Sequence, residues 1–192
     1  MKHTLLLLLL IGIAAGTLQA QSLDSIPTST AATERVTTIE GGYVVGGIIN
    51  AFFFSANSGP TLSVSHGVRW QSRYTGALGA GVQFWQDATI LPIYLTFRAA
   101  TKRGGLYDVR TGYALGFAPS ETDVVDYNYR GGLYGYVGYG RRVYTADRLE
   151  VAVKLGYNFQ QVKLDYVPFD GAERVSSGNN YHYLALSADM TF

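Results

Sequence analysis

The sequence predicts an all-β protein, an eight-stranded antiparallel up-and-down transmembrane β-barrel. Three observations predict it: an export signal at the N-terminus, segments of about ten residues that alternate in polarity, and charged residues in the middle of the polar face of those segments. A soluble barrel would exclude such charges from its packed core. The arrangement is expected where lipid lies outside and a polar interior lies inside.

The N-terminal residues have the order of a secretory signal. Lys2 and His3 precede an apolar run, and Leu18-Gln19-Ala20 places a small residue before the expected cleavage point. The apolar run is too short to cross ~30 Å of hydrocarbon. We therefore expect residues 1–20 to be a cleaved signal peptide and the Ser- and Thr-rich residues 21–35 to be a flexible periplasmic tail.

Composition excludes several classes of protein. The chain has no cysteine, which excludes disulfides, thiolate chemistry and a lipid-anchored cysteine. A formal net charge of +1 argues against a nucleic-acid partner held through its phosphates. The 23 glycines lie inside apolar and aromatic segments, which argues against disorder. No helix follows the glycine clusters, so they predict barrel curvature rather than phosphate-binding loops.

Alternation is clearest near the end of the chain. One face of the segment after Arg148 is apolar or aromatic, and the other is polar or small: Leu149, Val151, Val153, Leu155, Tyr157 and Phe159 against Glu150, Ala152, Lys154, Gly156, Asn158 and Gln160. Successive side chains of a strand point to opposite faces, so this segment separates two environments. The last strand repeats the pattern, with Leu184, Leu186, Ala188, Met190 and Phe192 on the apolar face.

Alternation of apolar and polar residues places eight strands in a barrel domain over residues 36–192. They are expected at 36–48, 61–71, 73–85, 89–101, 105–117, 131–144, 147–163 and 180–192. An even number of antiparallel strands closes a barrel without exposed edges. Short links near residues 72, 101–104 and 145–146 alternate with longer ones at 49–60, 118–130 and 164–179, and 86–88 is a short exception. This alternation of short and long links predicts periplasmic turns at one end of the barrel and external loops at the other.

The order of these segments resembles a family of small outer-membrane β-barrel proteins from Bacteroidetes. The resemblance covers about residues 36–192 and is most specific in one strand, Leu91-Pro92-Ile93-Tyr94-Leu95-Thr96-Phe97-Arg98. Further matching pieces are Gly41-Gly42-Tyr43, Gly79-Ala80-Gly81-Val82, Gly112-Tyr113-Ala114-Leu115-Gly116, Leu155-Gly156-Tyr157-Asn158-Phe159-Gln160 and the terminal Phe192. It implies an outer-membrane barrel, within the wider class of small OmpA-like and OmpX-like barrels, and implies no shared catalytic activity or ligand.

Eight charged residues fall on the inward face of the predicted strands and form the candidate site. They are Glu40, Arg69, Arg98, Asp108, Arg110, Glu150, Lys154 and Asp189. Four acids balance four bases, and the interior of an eight-stranded barrel is just wide enough for side chains to fill. We therefore expect a polar network of ion pairs, with an ion pathway as the alternative. Replacing Arg98 or Glu150 with an apolar residue should then destabilise the barrel.

The outward face carries the second group of candidate residues. Aromatic side chains near strand ends are expected to form interfacial girdles: Trp70, Tyr74, Phe84, Tyr107, Phe117, Tyr157, Phe159 and Phe192. A terminal aromatic on the closing strand also resembles the signal that barrel-assembly machinery recognises, so Phe192 is the predicted assembly signal. His66 and His182 lie outside any arrangement typical of a catalytic triad.

The sequence favours an integral outer-membrane protein with a structural or surface-interaction role and no catalysis. A narrow porin-like channel and a membrane-embedded lipid-modifying enzyme are the alternatives. Expected partners are outer-membrane lipid, the barrel-assembly machinery and a protein of the envelope. We expect no cofactor and, because His, Cys and carboxylates do not cluster at ligand spacing, no metal.

Overall fold

The computed structural model describes residues 33–49, 54–85, 88–117, 128–146, 148–166 and 175–192. Almost all of these residues are in β-strands: β1 (Glu34–Ile49), β2 (Phe54–Trp70), β3 (Tyr74–Phe84), β4 (Thr89–Ala100), β5 (Gly105–Phe117), β6 (Asn128–Arg130), β7 (Gly132–Ala146), β8 (Leu149–Tyr166) and β9 (Val175–Thr191). The predicted signal peptide and most of the predicted tail lie outside the described residues.

The strands form one closed antiparallel barrel. Apart from the short β6, each strand pairs with its neighbours in sequence, and β9 pairs with both β8 and β1 to close the sheet. The short β6 and the longer β7 both pair with β8, with Arg130 opposite Lys163 and Tyr134 opposite Gln160. They are therefore one barrel strand interrupted at Gly131, and the barrel has eight strands. The predicted fold class is confirmed.

Three short turns lie at the same end as the start of β1 and the end of β9. The turn between β2 and β3 holds Gln71 and Ser72 at φ 52° and 54°, and Arg73 N donates to Trp70 O at 3.2 Å. Two consecutive left-handed residues give the turn a twist that suits a tight hairpin. Gly104, at φ 81°, ends the turn between β4 and β5. We call this the short-turn end.

The two faces of the strands meet opposite environments. Leu155 and Leu184 point outward and are 62% and 63% exposed, whereas the neighbouring Lys154 is 1% exposed. Asp108 and Asp189 are also fully buried. The barrel thus carries its apolar side chains outside and its charged side chains inside, as the alternation predicts.

Several predicted strand boundaries are wrong, mainly at the end opposite the short turns. β2 begins at Phe54 rather than at residue 61, β9 begins at Val175 rather than at residue 180, and β8 continues to Tyr166. Within the predicted loop over 49–60, Ile49 belongs to β1 and residues 54–60 belong to β2, and Ile49 pairs with Phe54. Backbone pairing with the neighbouring strand extends these strands beyond the residues that alternate in polarity.

At the short-turn end the corrections are small. β1 begins at Glu34, so Glu34 and Arg35 belong to the barrel and not to the tail.

Among the described residues, no helix is both long enough and apolar enough to cross a membrane.

Candidate functional site

Six of the eight predicted charged residues meet in the middle of the lumen, and we call them the central network: Glu40, Arg98, Asp108, Arg110, Lys154 and Asp189. Strand register brings them to one level, because Arg98 lies opposite Asp108 and Glu40 lies opposite Asp189. All six are buried. The group contains three acids and three bases, so its formal charges cancel.

Lys154 contacts all three acids of the central network. Its Nζ lies 2.6 Å from Glu40 Oε2, 2.7 Å from Asp108 Oδ2 and 2.9 Å from Asp189 Oδ2. An ammonium group has three donor hydrogens, so each can serve one carboxylate. Glu40 and Asp189 are directly opposite on β1 and β9, where like charges repel. Lys154 offsets that repulsion.

The two arginines link the same acids from other directions. Arg98 contacts Asp108 through Nε at 3.3 Å and Asp189 through Nη1 at 3.3 Å, and its Nη2 donates to Glu40 at 3.4 Å. Arg110 donates to Asp108 through Nη2 at 2.6 Å and Nε at 3.2 Å, and Nη2 also donates to Glu40. The guanidinium fork suits such paired contacts with carboxylates.

Tyrosine and threonine side chains surround the charges. The guanidinium carbon of Arg110 lies 4.5 Å from the ring centre of Tyr136 and 5.1 Å from that of Tyr94. Cation–π contacts of this kind strengthen when they are desolvated. Thr96 Oγ1 donates to Asp108 Oδ1 at 2.9 Å. The central network is therefore a packed polar core that also binds the surrounding strands to one another.

The other two predicted residues, Arg69 and Glu150, form a separate cluster at the short-turn end. Arg69 donates to both carboxylate oxygens of Glu150, at 3.0 and 3.1 Å. Arg142 lies 3.6 Å from Glu150, and Glu34 lies 3.6 Å from Arg69. Neither Glu34 nor Arg142 is among the residues that the sequence predicts for the network. Arg142 shares the inward parity of β7, which is the signal that could have identified it.

An aromatic layer, which the sequence does not predict, fills the lumen on the side away from the short turns. Trp85 packs against Tyr181 and Tyr183 with ring centres 4.7 and 5.0 Å apart. The rings join a buried cluster with Val44, Ala88, Ile90, Tyr94, Ala114, Tyr134, Tyr136, Val162 and Ala185. Ring pairs in this distance range stabilise a core beyond the area that they bury.

Two small cavities lined by described residues lie in the lumen, one on each side of the central network. The cavity at the short-turn end has a volume of about 20 Å³ and is lined by Arg98 and Asp189. The other has a volume of about 30 Å³ and is lined by Glu40 and Arg110. Each can hold one or two water molecules. The central network lies between them and separates the two halves of the lumen.

On the outer wall, Phe192 and Thr37 complete the closure of the barrel. Each donates its backbone N–H to the carbonyl oxygen of the other, at 2.8 and 3.0 Å. His66 Nδ1 lies 2.9 Å from the hydroxyl of Thr37, and His182 contacts the hydroxyl of Tyr157. Among the described residues, no carboxylate is hydrogen-bonded to either imidazole.

The predicted girdle residues lie at both ends of the outer wall. At the short-turn end, Trp70, Tyr74 and Phe97 form a cluster with ring centres 6.1 Å apart. Phe97 was not predicted as a member, although its outward parity indicates it. Tyr157 and Phe159 lie near His182 towards the other end. Over the residues that the structure covers, no group of His, Cys, Asp and Glu is arranged to hold a metal ion.

Comparisons with known proteins bear on the fold. The outer membrane protein AlkL, solved by solid-state NMR in DMPC lipid bilayers, superposes with a TM-score of 0.54 at 12% identity, over 88% of this chain and 96% of AlkL. The fold is that of a small outer-membrane β-barrel. OprG of Pseudomonas aeruginosa is also similar, with a TM-score of 0.45 at 9% identity over 84% of this chain and 98% of OprG. No protein-family model and no curated protein matches the chain.

Proposed function

We propose that the protein is an integral outer-membrane barrel with a closed lumen and a structural or surface-interaction role. The observation that carries the proposal is the central network, in which three buried acids and three buried bases bind one another across the lumen. An ion that crossed this layer would have to displace paired groups whose charges already cancel. The cost of breaking a buried pair makes the network a barrier rather than a pathway.

The outer surface supports insertion into a bilayer. Large apolar and aromatic side chains are exposed all around the barrel, among them Tyr43, Leu78, Leu95, Val109, Tyr113, Val137, Leu155 and Leu186. A monomeric soluble protein rarely exposes a continuous apolar surface of this extent. In lipid the same surface is the outward apolar band of a transmembrane barrel. Cleavage after Ala20 and membership of the Bacteroidetes barrel family remain predictions from the sequence.

The strands that extend beyond the apolar band support a surface-interaction role. β8 and β9 remain paired as far as Tyr166 and Val175, and β1 and β2 as far as Ile49 and Phe54. The pairing fixes the backbone at these strand ends. We therefore propose that the hairpin ends contact another component of the cell envelope, and that the protein performs no catalytic step.

Electrical recording tests the closed lumen. The purified protein, folded in detergent, is added to planar lipid bilayers, and its folded state is checked by the gel mobility of heated and unheated samples. We expect no discrete current steps under conditions in which a known porin produces them. Reproducible steps from the folded protein would favour the porin-like alternative and contradict this proposal.

A second experiment tests the interaction role. Native membranes are extracted with mild detergent, and the barrel is purified with whatever remains bound to it. A partner in fixed proportion is the expected result, whereas an isolated barrel would count against the surface-interaction role. Lipid A should be unchanged after expression of the folded barrel, and altered lipid A would favour the enzyme alternative.

A further inference from the structure

Most of the exposed basic residues that the structure describes lie at the short-turn end. Six of them form what we call the basic rim: Arg35, Arg73, Lys102, Arg103, Arg141 and Arg148. The described residues at the other end include two exposed bases, Arg130 and Lys163. Arg130 is already paired with Asp165 at 2.7 Å. Over the described residues, the distribution of exposed positive charge is therefore uneven.

Backbone contacts make a large part of the basic rim continuous. Ala100 N donates to Arg73 O at 2.7 Å, which places the turn between β2 and β3 beside the turn that carries Lys102 and Arg103. Arg142 N donates to Gly104 O at 2.8 Å, and Arg141 lies opposite Gly105. The bases of these neighbouring segments are thus held together by the strand pairing of the barrel.

The described acids do not pair with the basic rim. Within the described ranges, none of its six members forms an ion pair. The described acids at this end, Glu34 and Glu150, contact Arg69 and Arg142 instead. The rim therefore presents positive charge to whatever surrounds the short-turn end of the barrel.

The position of Arg141 indicates which part of the membrane surrounds the short-turn end. Arg141 and Tyr139 share the outward face of β7, two residues apart and therefore about 7 Å apart along the strand. The ring centre of Tyr139 lies 5.0 Å from that of Tyr107 on β5. Outward tyrosines mark the boundary between acyl chains and headgroups. Tyr144, exposed and opposite Val151 on β8, lies on the other side of Arg141, nearer the short-turn end. A basic side chain between these tyrosines lies at the membrane interface, where its head can extend to the lipid phosphates.

We propose that the basic rim binds anionic phospholipid headgroups in the leaflet at the short-turn end. This inference rests on the proposed insertion into a bilayer. The ligand is a phosphodiester with net negative charge, of which phosphatidylglycerol is the simplest example. Arginine suits this ligand because its planar fork contacts two phosphate oxygens at once. Each unpaired Lys or Arg beside an anionic lipid surface adds its own attraction for the lipid, and salt screens that attraction.

Spin-labelled lipids test the proposal directly. The folded protein is reconstituted into phosphatidylcholine vesicles that contain a trace of spin-labelled phosphatidylglycerol or, separately, spin-labelled phosphatidylcholine. The fraction of label that the barrel immobilises gives the relative association of the two lipids. We expect the wild type to prefer phosphatidylglycerol at low salt and to lose most of this preference in concentrated NaCl.

Two single variants form a matched pair. Arg141 and Lys163 are both exposed on the outward face, on the adjacent strands β7 and β8, but near opposite ends of the barrel. Arg141→Gln should reduce the preference for phosphatidylglycerol by about two- to fivefold, the upper figure corresponding to one basic contact at a membrane surface. Lys163→Gln should leave it unchanged. The triple variant Lys102→Gln, Arg103→Gln, Arg141→Gln should bring the preference close to one.

The possible results separate the inference from the proposed function. No immobilised lipid with either label would mean that the protein is not embedded, which would overturn the proposed function and the inference with it. Immobilised lipid without a preference for phosphatidylglycerol would overturn the inference alone. Equal losses in the two single variants would also overturn it. If the wild type lacked the preference but retained soluble peptidoglycan fragments, the rim would be assigned to that polymer instead.

Discussion

Replacement of Lys154 with methionine is the sharpest test of the central network. Methionine keeps an unbranched side chain of similar length but removes the charge and all three donor hydrogens. Lys154 Nζ lies within 2.9 Å of three carboxylate oxygens and its side chain is fully buried. The variant would therefore leave Glu40, Asp108 and Asp189 facing only two arginines, with an uncompensated negative charge in the lumen.

The expected loss of stability is about 3–5 kcal/mol, the usual cost of removing one partner from a buried ion pair. Repulsion between Glu40 and Asp189, which are opposite each other on β1 and β9, favours the upper part of that range. The measurement is urea unfolding of the protein in lipid vesicles, followed by tryptophan fluorescence. If the dependence on urea is about 1–3 kcal/mol per molar, the midpoint should fall by at least about 1 M.

The control is Lys163→Met, which removes an exposed lysine from the same strand and should change stability by no more than about 0.5 kcal/mol. Adding Asp189→Asn to Lys154→Met restores charge balance and should recover part of the loss. Non-additive effects of the two changes would show that the residues are coupled. A loss below about 1 kcal/mol for Lys154→Met, or no recovery in the double variant, would refute this account of the network.

Three further predictions concern other parts of the barrel. Glu150→Leu should lower stability by about 1–3 kcal/mol in the same urea titration, because it leaves a partly buried arginine without its bidentate partner; an unchanged midpoint would contradict this. Gly156→Ala should lower the free energy of unfolding by about 1–3 kcal/mol, because the new methyl group would lie 2.5 Å from the ring of Tyr136. Gly135→Ala should be tolerated, because its methyl group would meet nothing within 4 Å. Equal effects of the two changes would argue against that packing. Deletion of Phe192 should lower the amount of folded barrel in the membrane, measured by heat-modified gel mobility, and normal levels would count against its role as an assembly signal.

Polarity alternation predicted the faces of the strands well, because a strand repeats every two residues and the barrel separates two solvents. Lys154 is buried, whereas Val153 and Leu155 on either side of it are exposed. The same parity assigns Arg98 and Asp108 to the inward face, where both are buried. Sequence parity identifies the face of a residue, and this sufficed to predict which charges enter the lumen.

Parity could not predict which charges meet. Contacts in the lumen depend on the stagger between strands and on the direction in which each long side chain extends. Arg69 and Glu150, for example, are bound to each other at the short-turn end and do not contact Lys154. The aromatic layer was missed for the same reason: parity assigns Trp85 and Tyr183 to the inward face, but it does not show that their rings meet.

Strand ends were predicted poorly where turn-forming residues occur inside strands. The segment from Asn57 to Pro60 reads as a loop because it contains serine, glycine and proline, yet it belongs to β2. Pro60 lies opposite Tyr43 on β1, whereas pairing of β2 with β3 begins only at Thr61. At Pro60 the strand has one paired neighbour, so proline can be accommodated without the loss of an interstrand hydrogen bond on its unpaired side.

The seam between β1 and β9 has a consequence for the rate of folding. Every other barrel strand pairs with the strand that precedes or follows it in sequence, so those hairpins close over short stretches of chain. The seam instead joins Thr38 to Thr191, whose hydroxyls are 2.9 Å apart across 153 positions. The entropic cost of long-range loop closure is concentrated there. Substitutions in the seam should therefore slow folding. Equally destabilising substitutions in hairpins that form after the rate-limiting step should mainly speed unfolding.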